Sequence, residues 1–415
     1  MQYKIYPPEK LKATIELPAS KSISNRILLL NALSFNTNTA ENLSDCEDTQ
    51  VIIDAFNSDS NVFDVKGAGT AMRFLTAFLA GMDGEWILKG SKRMHERPIY
   101  PLVNTLKALD ADIEYLENEG YPPLKIKGKR LKGGEVYVSG NISSQFISGL
   151  MMVAPTMENG LIINIKTEVI SKPYLNLTIQ LMEEYGVHVK WEGNKIVIKP
   201  QDYKPKTFKI ESDWTAASYW YEMAALCSGA EVTLLGLQKN SYQGDSNLTS
   251  LFNDLGVTTE FIPEGVVIKK ARKPNKKFFH NFVGEPDLAQ TFAAACCFLN
   301  VPFIFSGVQS LRIKETDRIE ALKTELKKLG FVLRETDSEM LEWDGERCFP
   351  EENAAIDTYD DHRMAMSLAP AAIPFKSILI NDPHVVSKSY PNFWEDLKKA
   401  GFSISQIPNP KSQIV

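Results

Sequence analysis

The sequence predicts an α/β protein of two domains, built from six βαβαββ-type repeats with three repeats in each domain. Three observations predict it: a length of 415 residues, a helix signature that recurs six times, and hairpin patterns behind several helix pairs. A chain of this length usually exceeds one hydrophobic core, which favours two domains or a body made of repeats. With 44% hydrophobic and 24% charged residues, the composition is that of an ordinary globular protein.

Six segments share a polar or glycine-rich start that leads into a helix rich in alanine, leucine and methionine. They begin near Ser22, Thr70, Ser144, Thr215, Asp287 and Asp361. Because these helices are apolar on nearly every side, the pattern is typical of buried helices rather than surface helices. We therefore expect them to form the core of each domain.

An amphipathic helix follows each of these buried helices. The second helices begin near Asp48, Pro98, Pro173, Gly244, Thr316 and Tyr390. Alternating polar and apolar residues around a Gly, Asn or Asp turn then predict hairpins over 187–200, 257–270 and 331–345. The first repeat passes from Asn57 to Lys66 with one strand and no hairpin.

Six repeats divide naturally into two groups of three. We predict one domain over 20–212, which holds repeats one to three. The second domain, over 1–19 and 213–415, holds repeats four to six and the N-terminal strand region. An active-site cleft is expected between the two domains, with candidate hinges at 18–20 and 211–213.

The overall charge argues against several classes of partner. Lys and Arg number 46 and Asp and Glu 52, so the net charge of −6 does not attract nucleic acid or an anionic membrane. No apolar run reaches the roughly 18 residues of a membrane span, and the N-terminus lacks the apolar core of a signal peptide. The five cysteines are scattered without metal-type spacing. We expect a cytoplasmic protein with reduced thiols, no metal site and no nucleic-acid or membrane partner.

Positively charged residues nevertheless gather at the starts of the predicted helices. They are Lys21, Arg26, Arg73, Arg93, Arg97, Lys172, Arg312, Lys314, Arg318, Arg363 and Lys388. Helix N-termini offer free N–H groups and a positive dipole end, which favour phosphate and carboxylate. So many cations on an acidic chain indicate ligands that carry several negative charges, such as two phosphates or a phosphate with carboxylates.

Candidate acids and bases are few. Glu315 lies among cations in LRIKETDR, and His362 in DDHR is a candidate base, orienting group or helix cap. Asp287 follows Pro286 at a helix start, where it is either a catalytic carboxylate or simply an N-cap. The segment from Gly67 to Thr70 lets a ligand approach the backbone closely, but it lacks the Lys-Ser/Thr ending of a P-loop.

Several motifs, in their order along the chain, together resemble one family. LPASKSISNR, GAGTAMR, RMHERP, SSQFISGLMM, ISKPYL, LRIKETDR, DDHRMAM and KSYPNFWEDL are similar to the 5-enolpyruvylshikimate-3-phosphate synthase family over residues 11–400. The resemblance implies an enolpyruvyl transferase-like fold of two halves with buried parallel helices. It also implies a monomer, no metal or organic cofactor, and the substrates shikimate 3-phosphate and phosphoenolpyruvate.

The same resemblance assigns residues to the two substrates. For shikimate 3-phosphate they are Lys21, Ser22, Arg26, Ser143, Ser144, Gln145, Ser171, Tyr174, Asp287, Ser310 and Lys314. For phosphoenolpyruvate they are Lys21, Gly67, Gly69, Arg97, Gln145, Arg318, Arg363 and Lys388. Glu315 is implied as the proton donor to the methylene carbon, and either Asp287 or Lys21 as the acceptor of the hydroxyl proton.

Three positions depart from the common pattern of the family. Gly67 replaces an Asn that many members have, Phe74 replaces a frequent Pro, and Ser310 replaces an Asn. We expect a changed phosphoenolpyruvate contact at Gly67, a shifted helix start near Gly69, and a weaker or water-mediated phosphate contact at Ser310.

Three other functions are compatible with parts of the pattern. The related enolpyruvyl transferase that acts on UDP-N-acetylglucosamine commonly carries a cysteine in the loop that matches 89–98, and this loop has none. An RNA 3′-phosphate cyclase would need nucleotide chemistry that the sequence does not indicate. A non-catalytic anion-binding protein would have no reason to place Glu315 and Asp287 with the cations.

Overall fold

The structure is a computed structural model that describes residues 1–35, 40–141, 143–337 and 339–408. The chain divides into two compact units, which we call the middle unit (Ala19–Ile210) and the terminal unit (Met1–Pro18 with Glu211–Val415). The hairpin predicted over 331–345 includes Ser338, which lies outside the described residues.

Two strands precede the middle unit, β1 (Gln2–Tyr6) and β2 (Lys12–Glu16). The first repeat of the middle unit contains α1 (Lys21–Leu33) and α2 (Glu47–Asn57). Its second repeat contains β3 (Val62–Asp64), α3 (Gly69–Ala80), β4 (Gly84–Lys89), the short α4 (Lys92–His95), α5 (Tyr100–Ala108), β5 (Asp112–Tyr115) and β6 (Leu124–Gly128). Its third contains β7 (Gly134–Val138), α6 (Ser144–Val153), β8 (Leu161–Ile165), α7 (Lys172–Glu184), β9 (Val189–Glu192) and β10 (Lys195–Ile198).

The terminal unit holds the remaining three repeats. The fourth contains α8 (Trp214–Leu226), β11 (Glu231–Leu235), α9 (Leu248–Asp254), β12 (Val257–Ile262) and β13 (Gly265–Lys270). The fifth contains β14 (Phe278–Asn281), α10 (Ala289–Phe298), β15 (Phe303–Ser306), α11 (Arg318–Lys328), β16 (Arg334–Thr336) and β17 (Met340–Trp343). The sixth contains β18 (Ala355–Ile356), α12 (His362–Leu368), the short α13 (Ala372–Phe375), β19 (Ile378–Asn381), α14 (Phe393–Lys399) and β20 (Ser403–Ile407).

Five four-stranded sheets share one strand order. In β7-β8-β10-β9, for example, the first two strands are parallel and the hairpin of the repeat adds two antiparallel strands. The N-terminal strands complete two sheets of the terminal unit: β2 pairs parallel with β11, and β1 lies between β19 and β20. In the described part of the first repeat, a parallel bridge joins Glu41 to Lys209. The α/β fold class with six repeats, three in each unit, is therefore confirmed.

The first helix of each repeat forms the core, as its apolar sequence predicts. Every residue of α10 and of α12 is buried, and so is every residue of α3 except Thr70. Full burial of one large apolar side chain, such as Phe292, stabilises the folded state by about 1.5–3 kcal/mol. Each helix start is thus held in place by the core behind it. In the residues that the structure describes, no helix is long and apolar enough to cross a membrane.

Candidate active site

In the middle unit, an ion pair holds the predicted site residue Lys21 at the start of α1. Ser20 caps this helix by accepting a hydrogen bond from the backbone N–H of Ile23 at 3.4 Å. The Nζ of Lys21 lies 3.1 Å from Oδ2 of Asp48, whose side chain is only 6% exposed. Asp48 was not among the predicted site residues, since only the tertiary contact between the starts of α1 and α2 identifies it.

Arg26 is buried within the middle unit and bonds to several of its helices. The residue is 2% exposed, and its Nε donates to Oγ1 of Thr178 at 2.8 Å. Its terminal nitrogens donate to the carbonyl oxygen of Ser22 at 2.8 Å, to Oγ of Ser148 at 3.4 Å and to the carbonyl oxygen of Tyr174 at 3.4 Å. Burial lowers the pKa of Arg26 to about 10, so the guanidinium stays charged at neutral pH. In this structure it therefore orients the backbone of two predicted site residues.

Two more guanidinium groups meet the start of α3. Arg73 donates from NH1 to the carbonyl oxygen of Gly69 at 2.7 Å. A Cβ atom at Gly69 would lie 2.5 Å from NH1 of Arg73 and 2.9 Å from NH1 of Arg97. Arg97 is 8% exposed, and no described group accepts a hydrogen bond from its Nε. The arrangement offers an anion both side-chain charge and the free N–H groups of a helix start.

Neutral hydrogen-bonding groups surround the starts of α6 and α7. Ser143 caps α6 by accepting from the N–H of Gln145 at 3.4 Å, and Nε2 of Gln145 donates to Oγ1 of Thr70 at 2.9 Å. Ser144 is the first residue of α6. Ser171, just before α7, is buried and has a left-handed backbone with φ of 56°. Such a conformation is costly for a residue other than glycine and persists only where the surroundings hold it.

Two of the departures from the family pattern, Gly67 and Phe74, lie in the middle unit near the start of α3. Gly67 lies in the turn between β3 and α3, and α3 begins at Gly69. Phe74 is fully buried in α3, with the guanidinium of Arg26 5.3 Å from its ring centroid. The ring thus packs against one of the buried cations of the unit.

In the terminal unit, three carboxylates and four cations form one connected network. Its members are Asp287, Glu315, Asp361, Lys314, Arg318, Arg363 and Lys388. Counted in their ionised forms, these side chains sum to a charge of 4 − 3 = +1. Six of the seven are residues that the sequence predicted for the site, and the seventh, Asp361, occupies the predicted helix start.

Asp287 contacts three of these cations. It lies in a turn over Pro286–Leu288, which directly precedes α10. Its Oδ2 is 2.7 Å from NH2 of Arg363, and its Oδ1 is 3.3 Å from NH1 of Arg318 and 3.6 Å from Nζ of Lys314. The side chain of Asp287 therefore takes part in an ion network at this helix start.

Arg318 is the centre of the network and is 1% exposed. Its Nε donates to Oδ2 of Asp361 at 2.7 Å, and its NH2 donates to Oε2 of Glu315 at 2.9 Å. The other carboxylate oxygen of Glu315 lies 3.7 Å from Nζ of Lys388. Asp361 also caps α12 by accepting from the N–H of Arg363 at 2.9 Å. One buried guanidinium therefore connects the start of α12 to the loop that carries Glu315.

The network shifts the protonation equilibria of its members. Burial alone would raise the pKa of Asp287, but Arg363, Lys314 and Arg318 outweigh it and hold that pKa well below its usual range. Burial lowers the pKa of Lys314, while Asp361 and Glu315 more than offset the burial of Arg318 and raise its pKa. With these neighbours Asp287 is therefore a carboxylate and a weak base.

Residues that the sequence analysis did not assign to either substrate also contact the ion network. Arg363 donates from NH1 to the hydroxyl oxygen of Tyr219 at 3.4 Å, and burial raises the pKa of Tyr219 to about 12. His362 is 1% exposed, with Nδ1 3.8 Å from Oδ1 of Asp361. Ser310, which the sequence analysis did assign to shikimate 3-phosphate, lies on the turn Gln309–Ile313 that leads to Lys314. The DDHR motif could have indicated Asp361, but no sequence signal indicated Tyr219.

The sequence of the chain is similar to those of known proteins. The sequence model described as EPSP synthase (3-phosphoshikimate 1-carboxyvinyltransferase) matches residues 5–58 and 53–397. A 3-phosphoshikimate 1-carboxyvinyltransferase of Bacteroides fragilis is 52% identical over 405 residues, which cover 97% of this chain and 99% of the relative. One of Vibrio campbellii is 38% identical over 424 residues, with 95% and 98% covered.

Solved structures show the same fold. An EPSP synthase from Acinetobacter baumannii superimposes with a TM-score of 0.78 and covers 98% of this chain and 100% of that one. Its sequence is 22% identical to this chain, so the likeness concerns the fold alone.

Proposed function

The chain belongs to the EPSP synthase family, and from this premise we propose that its two clusters of site residues serve one reaction. That reaction transfers the enolpyruvyl group of phosphoenolpyruvate to the 5-hydroxyl of shikimate 3-phosphate and releases phosphate. It is the activity of a 3-phosphoshikimate 1-carboxyvinyltransferase, in the shikimate pathway that leads to chorismate and the aromatic amino acids. The observation that carries the proposal is the ion network in which Asp287 and Glu315 share Arg318.

Shikimate 3-phosphate is bound mainly by neutral donors and by a few cations. The proposed set is Lys21, Ser22, Arg26, Ser143, Ser144, Gln145, Ser171, Tyr174, Asp287, Ser310 and Lys314. Support comes from the starts of α6 and α7, where the hydroxyl-bearing residues Ser143, Ser144 and Ser171 lie. Hydroxyl and amide groups suit the ring hydroxyls of the substrate, and helix starts suit its phosphate.

Phosphoenolpyruvate is bound by a more strongly charged set. It comprises Lys21, Gly67, Gly69, Arg97, Gln145, Arg318, Arg363 and Lys388. The buried guanidinium of Arg97 beside Gly69 supports this assignment in the middle unit. Arginine binds phosphate and carboxylate with two parallel hydrogen bonds, which also orients the reacting carbon. In our proposal, residues from each of the two units bind phosphoenolpyruvate.

The reaction proceeds by addition and then elimination. In the addition, the 5-hydroxyl oxygen bonds to C2 of phosphoenolpyruvate, and Asp287 or Lys21 takes the hydroxyl proton. Glu315 delivers a proton to the methylene carbon, which becomes a methyl group in a tetrahedral ketal phosphate. In the elimination, a proton leaves the methyl group, the C–O bond to phosphate breaks and the enol ether forms. Glu315 is the proposed proton carrier in both steps.

The ion network explains how substrates would activate the two carboxylates. Arg318 and Lys388 contact Glu315, and Asp287 is contacted by Arg318, Arg363 and Lys314. Phosphate and carboxylate groups of the substrates compete for the same cations. A carboxylate with fewer cationic neighbours holds a proton more strongly. Substrate binding thereby turns both side chains into better proton carriers.

We further propose that the protein is a monomer located in the cytoplasm. All five cysteines are free thiols, which suits the reducing cytoplasm. We expect a monomer that needs neither a metal ion nor an organic cofactor. Sedimentation velocity would test the monomer, and a dimer at micromolar concentration would contradict it.

Phosphate release is the experiment that tests the function. The full chain is supplied with phosphoenolpyruvate and either shikimate 3-phosphate or UDP-N-acetylglucosamine, and the product is identified by mass. We expect turnover when shikimate 3-phosphate is the acceptor and none when UDP-N-acetylglucosamine is the acceptor. Turnover only with the sugar nucleotide, or with neither acceptor, would overturn the assignment.

A further inference from the structure

The turn that leads into α12 has an unusual backbone. Tyr359 and Asp360 are consecutive residues other than glycine, and both adopt the left-handed conformation, with φ of 55° and 53°. Glycine adopts this conformation at no steric cost, whereas a bulky residue such as tyrosine rarely does so. Strain of this kind persists only where surrounding contacts hold it, and it is concentrated at functional sites. The turn directly precedes Asp361, which belongs to the ion network of the terminal unit.

A buried carboxylate of α11 holds this turn at two points. Oε1 of Glu325 accepts a hydrogen bond from the hydroxyl of Tyr359 at 2.6 Å, and Oε2 accepts one from the backbone N–H of Asp357 at 3.0 Å. The side chain of Glu325 is fully buried. A buried carboxyl oxygen without a donor is costly, so the folded chain retains both hydrogen bonds. The bond from Tyr359 therefore fixes the first residue of the left-handed pair.

Lys328 balances the charge of this carboxylate from the same helix. Its Nζ lies 2.7 Å from Oε2 of Glu325 and 3.1 Å from Oδ2 of Asp357. It also donates to the carbonyl oxygen of Ala355 at 3.0 Å. Because α11 begins at Arg318, one helix carries both the central guanidinium of the ion network and the groups that hold the turn.

The conformation of the turn determines where two cations of the network lie. Asp361 directly follows Asp360, and its backbone N–H donates to the carbonyl oxygen of Thr358 at 2.9 Å. The carboxylate of Asp361 accepts from Nε of Arg318 at 2.7 Å and from the backbone N–H of Arg363 at 2.9 Å. A change in the φ angles of the turn would displace this carboxylate, and the two arginines that bond to it would move as well.

We infer that Tyr359 is a positioning residue, whose hydrogen bond to Glu325 holds the left-handed turn and so places Arg363 for phosphoenolpyruvate. The inference rests on the proposed function, in which Arg318 and Arg363 bind that substrate. Neither the sequence motifs nor the proposed mechanism uses Tyr359 or Glu325. Tyr359 acts through the backbone of the turn and through Asp361, not by contact with the substrate.

The test is the steady-state kinetics of Tyr359→Phe in the full chain. The variant keeps the ring but loses the hydroxyl that donates to Glu325, so the turn should relax and displace the guanidinium groups. We expect KM for phosphoenolpyruvate to rise about tenfold, with a smaller change in kcat and in KM for shikimate 3-phosphate. Tyr221→Phe is the matched control, since it removes another hydroxyl of the terminal unit, which lies 2.8 Å from Oγ1 of Thr259. The control should leave both KM values unchanged.

A second substitution in the turn should restore binding of phosphoenolpyruvate. Glycine adopts a φ of 53° without steric cost, so Asp360→Gly makes the turn less dependent on the bond to Glu325. In the double variant Tyr359→Phe/Asp360→Gly, we expect KM for phosphoenolpyruvate to return to within about threefold of the wild type. If Tyr359 only stabilised the fold in general, a glycine in the turn would not restore KM.

The possible outcomes separate this inference from the proposed function. Wild-type enzyme that does not turn over shikimate 3-phosphate overturns the function, and with it the inference that rests on the function. With active wild-type enzyme, an unchanged KM for phosphoenolpyruvate in Tyr359→Phe overturns only the inference, as does an equal rise in Tyr221→Phe. If Tyr359→Phe fails to fold, judged by its melting temperature, the double variant decides: a KM near that of the wild type supports the inference, and a raised KM or a second failure to fold overturns it.

Discussion

The two units of the chain bury opposite kinds of charge. The buried charged residues of the middle unit are Arg26, Asp48, Arg73 and Arg97. Those of the terminal unit are mainly acidic: Glu211, Asp213, Glu222, Asp245, Glu325, Asp361 and Asp396, with Arg318 and Arg363. Among the described residues, arginine therefore dominates the buried charge of one unit and carboxyl groups that of the other.

This difference separates two tasks that one enolpyruvyl transfer requires. Buried arginines that stay charged suit the binding and orientation of anions, as at the start of α3. Carboxyl groups that share cations suit proton transfer, because a change in their neighbours alters their proton affinity. The comparison predicts that changes to Glu315 and Asp287 in the terminal unit reduce turnover, whereas changes around the buried arginines of the middle unit reduce substrate affinity or stability.

The largest expected effect is that of Glu315→Gln. The variant retains the shape of the side chain but cannot deliver a proton, so kcat should fall by about 10²- to 10⁴-fold. Affinity for shikimate 3-phosphate, measured by calorimetry, should stay close to that of the wild type. Glu320→Gln is the matched control, since that glutamate lies nearby on α11 with its side chain 53% exposed. A small loss of turnover in Glu315→Gln would remove it as the proton carrier.

A second expected effect concerns the stability of the terminal unit. Glu222 is fully buried in α8, no described group hydrogen-bonds to its carboxyl oxygens, and burial raises its pKa well above the ordinary value. The folded state then binds a proton that the unfolded state releases above its own pKa. The contribution of the neutral Glu222 side chain to the free energy of unfolding is complete below the pKa of the unfolded state. It is lost as the pH rises toward the pKa of the folded state.

Glu222→Gln tests this effect by chemical unfolding at several pH values. Relative to the wild type, the variant should gain up to about 1.4 kcal/mol of unfolding free energy per pH unit from about pH 5 upward. Glu260→Gln, at an exposed position of β12, should show no such gain. Parallel curves for Glu222→Gln and the wild type would contradict the prediction.

Gly69→Ala should affect the binding of phosphoenolpyruvate. The new Cβ would lie too close to NH1 of Arg73 and NH1 of Arg97, so both guanidinium groups must move. We expect KM for phosphoenolpyruvate to rise about tenfold, with a smaller change for shikimate 3-phosphate, because positioning depends on displacements of this size. Gly81→Ala is the control, since its nearest contact would be an ordinary 3.6 Å to the Phe78 carbonyl oxygen. Equal KM values in the two variants would refute this account of the α3 start.

The smallest expected effect tests the role of Arg26 within the middle unit. Thr178→Val removes the acceptor for Nε of Arg26, and with it the hydrogen bonds of the Thr178 hydroxyl to Ser148 and to the Tyr174 carbonyl oxygen. The other three hydrogen bonds of the guanidinium remain. We expect a loss of about 1 kcal/mol in unfolding free energy, and little loss in Thr178→Ser, which keeps the hydroxyl. An unchanged stability in Thr178→Val would mean that the hydrogen bonds of the Thr178 hydroxyl, including the one from Arg26, do not stabilise the unit.

Features of short range could be predicted from the residues alone. The buried helices begin within about two residues of the predicted starts, because apolar runs after capping or glycine-rich segments are local signals. The hairpins over 187–200 and 257–270 appear as β9–β10 and β12–β13 for the same reason. The cations at the helix starts were also visible in the sequence, and so was the resemblance that implied their substrates.

Partners that are far apart in the sequence were decided by the tertiary structure. Strand β1 pairs with β19 and β20, more than 370 residues away, and no local pattern specifies that neighbour. The ion pair of Lys21 with Asp48 and the contacts of Asp287 with Arg363 depend in the same way on how helix starts pack together. Local periodicity follows from bonded geometry, whereas electrostatic neighbours follow from packing. The sequence by itself therefore determined the repeats and the residue types of the site, and only the folded chain decided which charges meet.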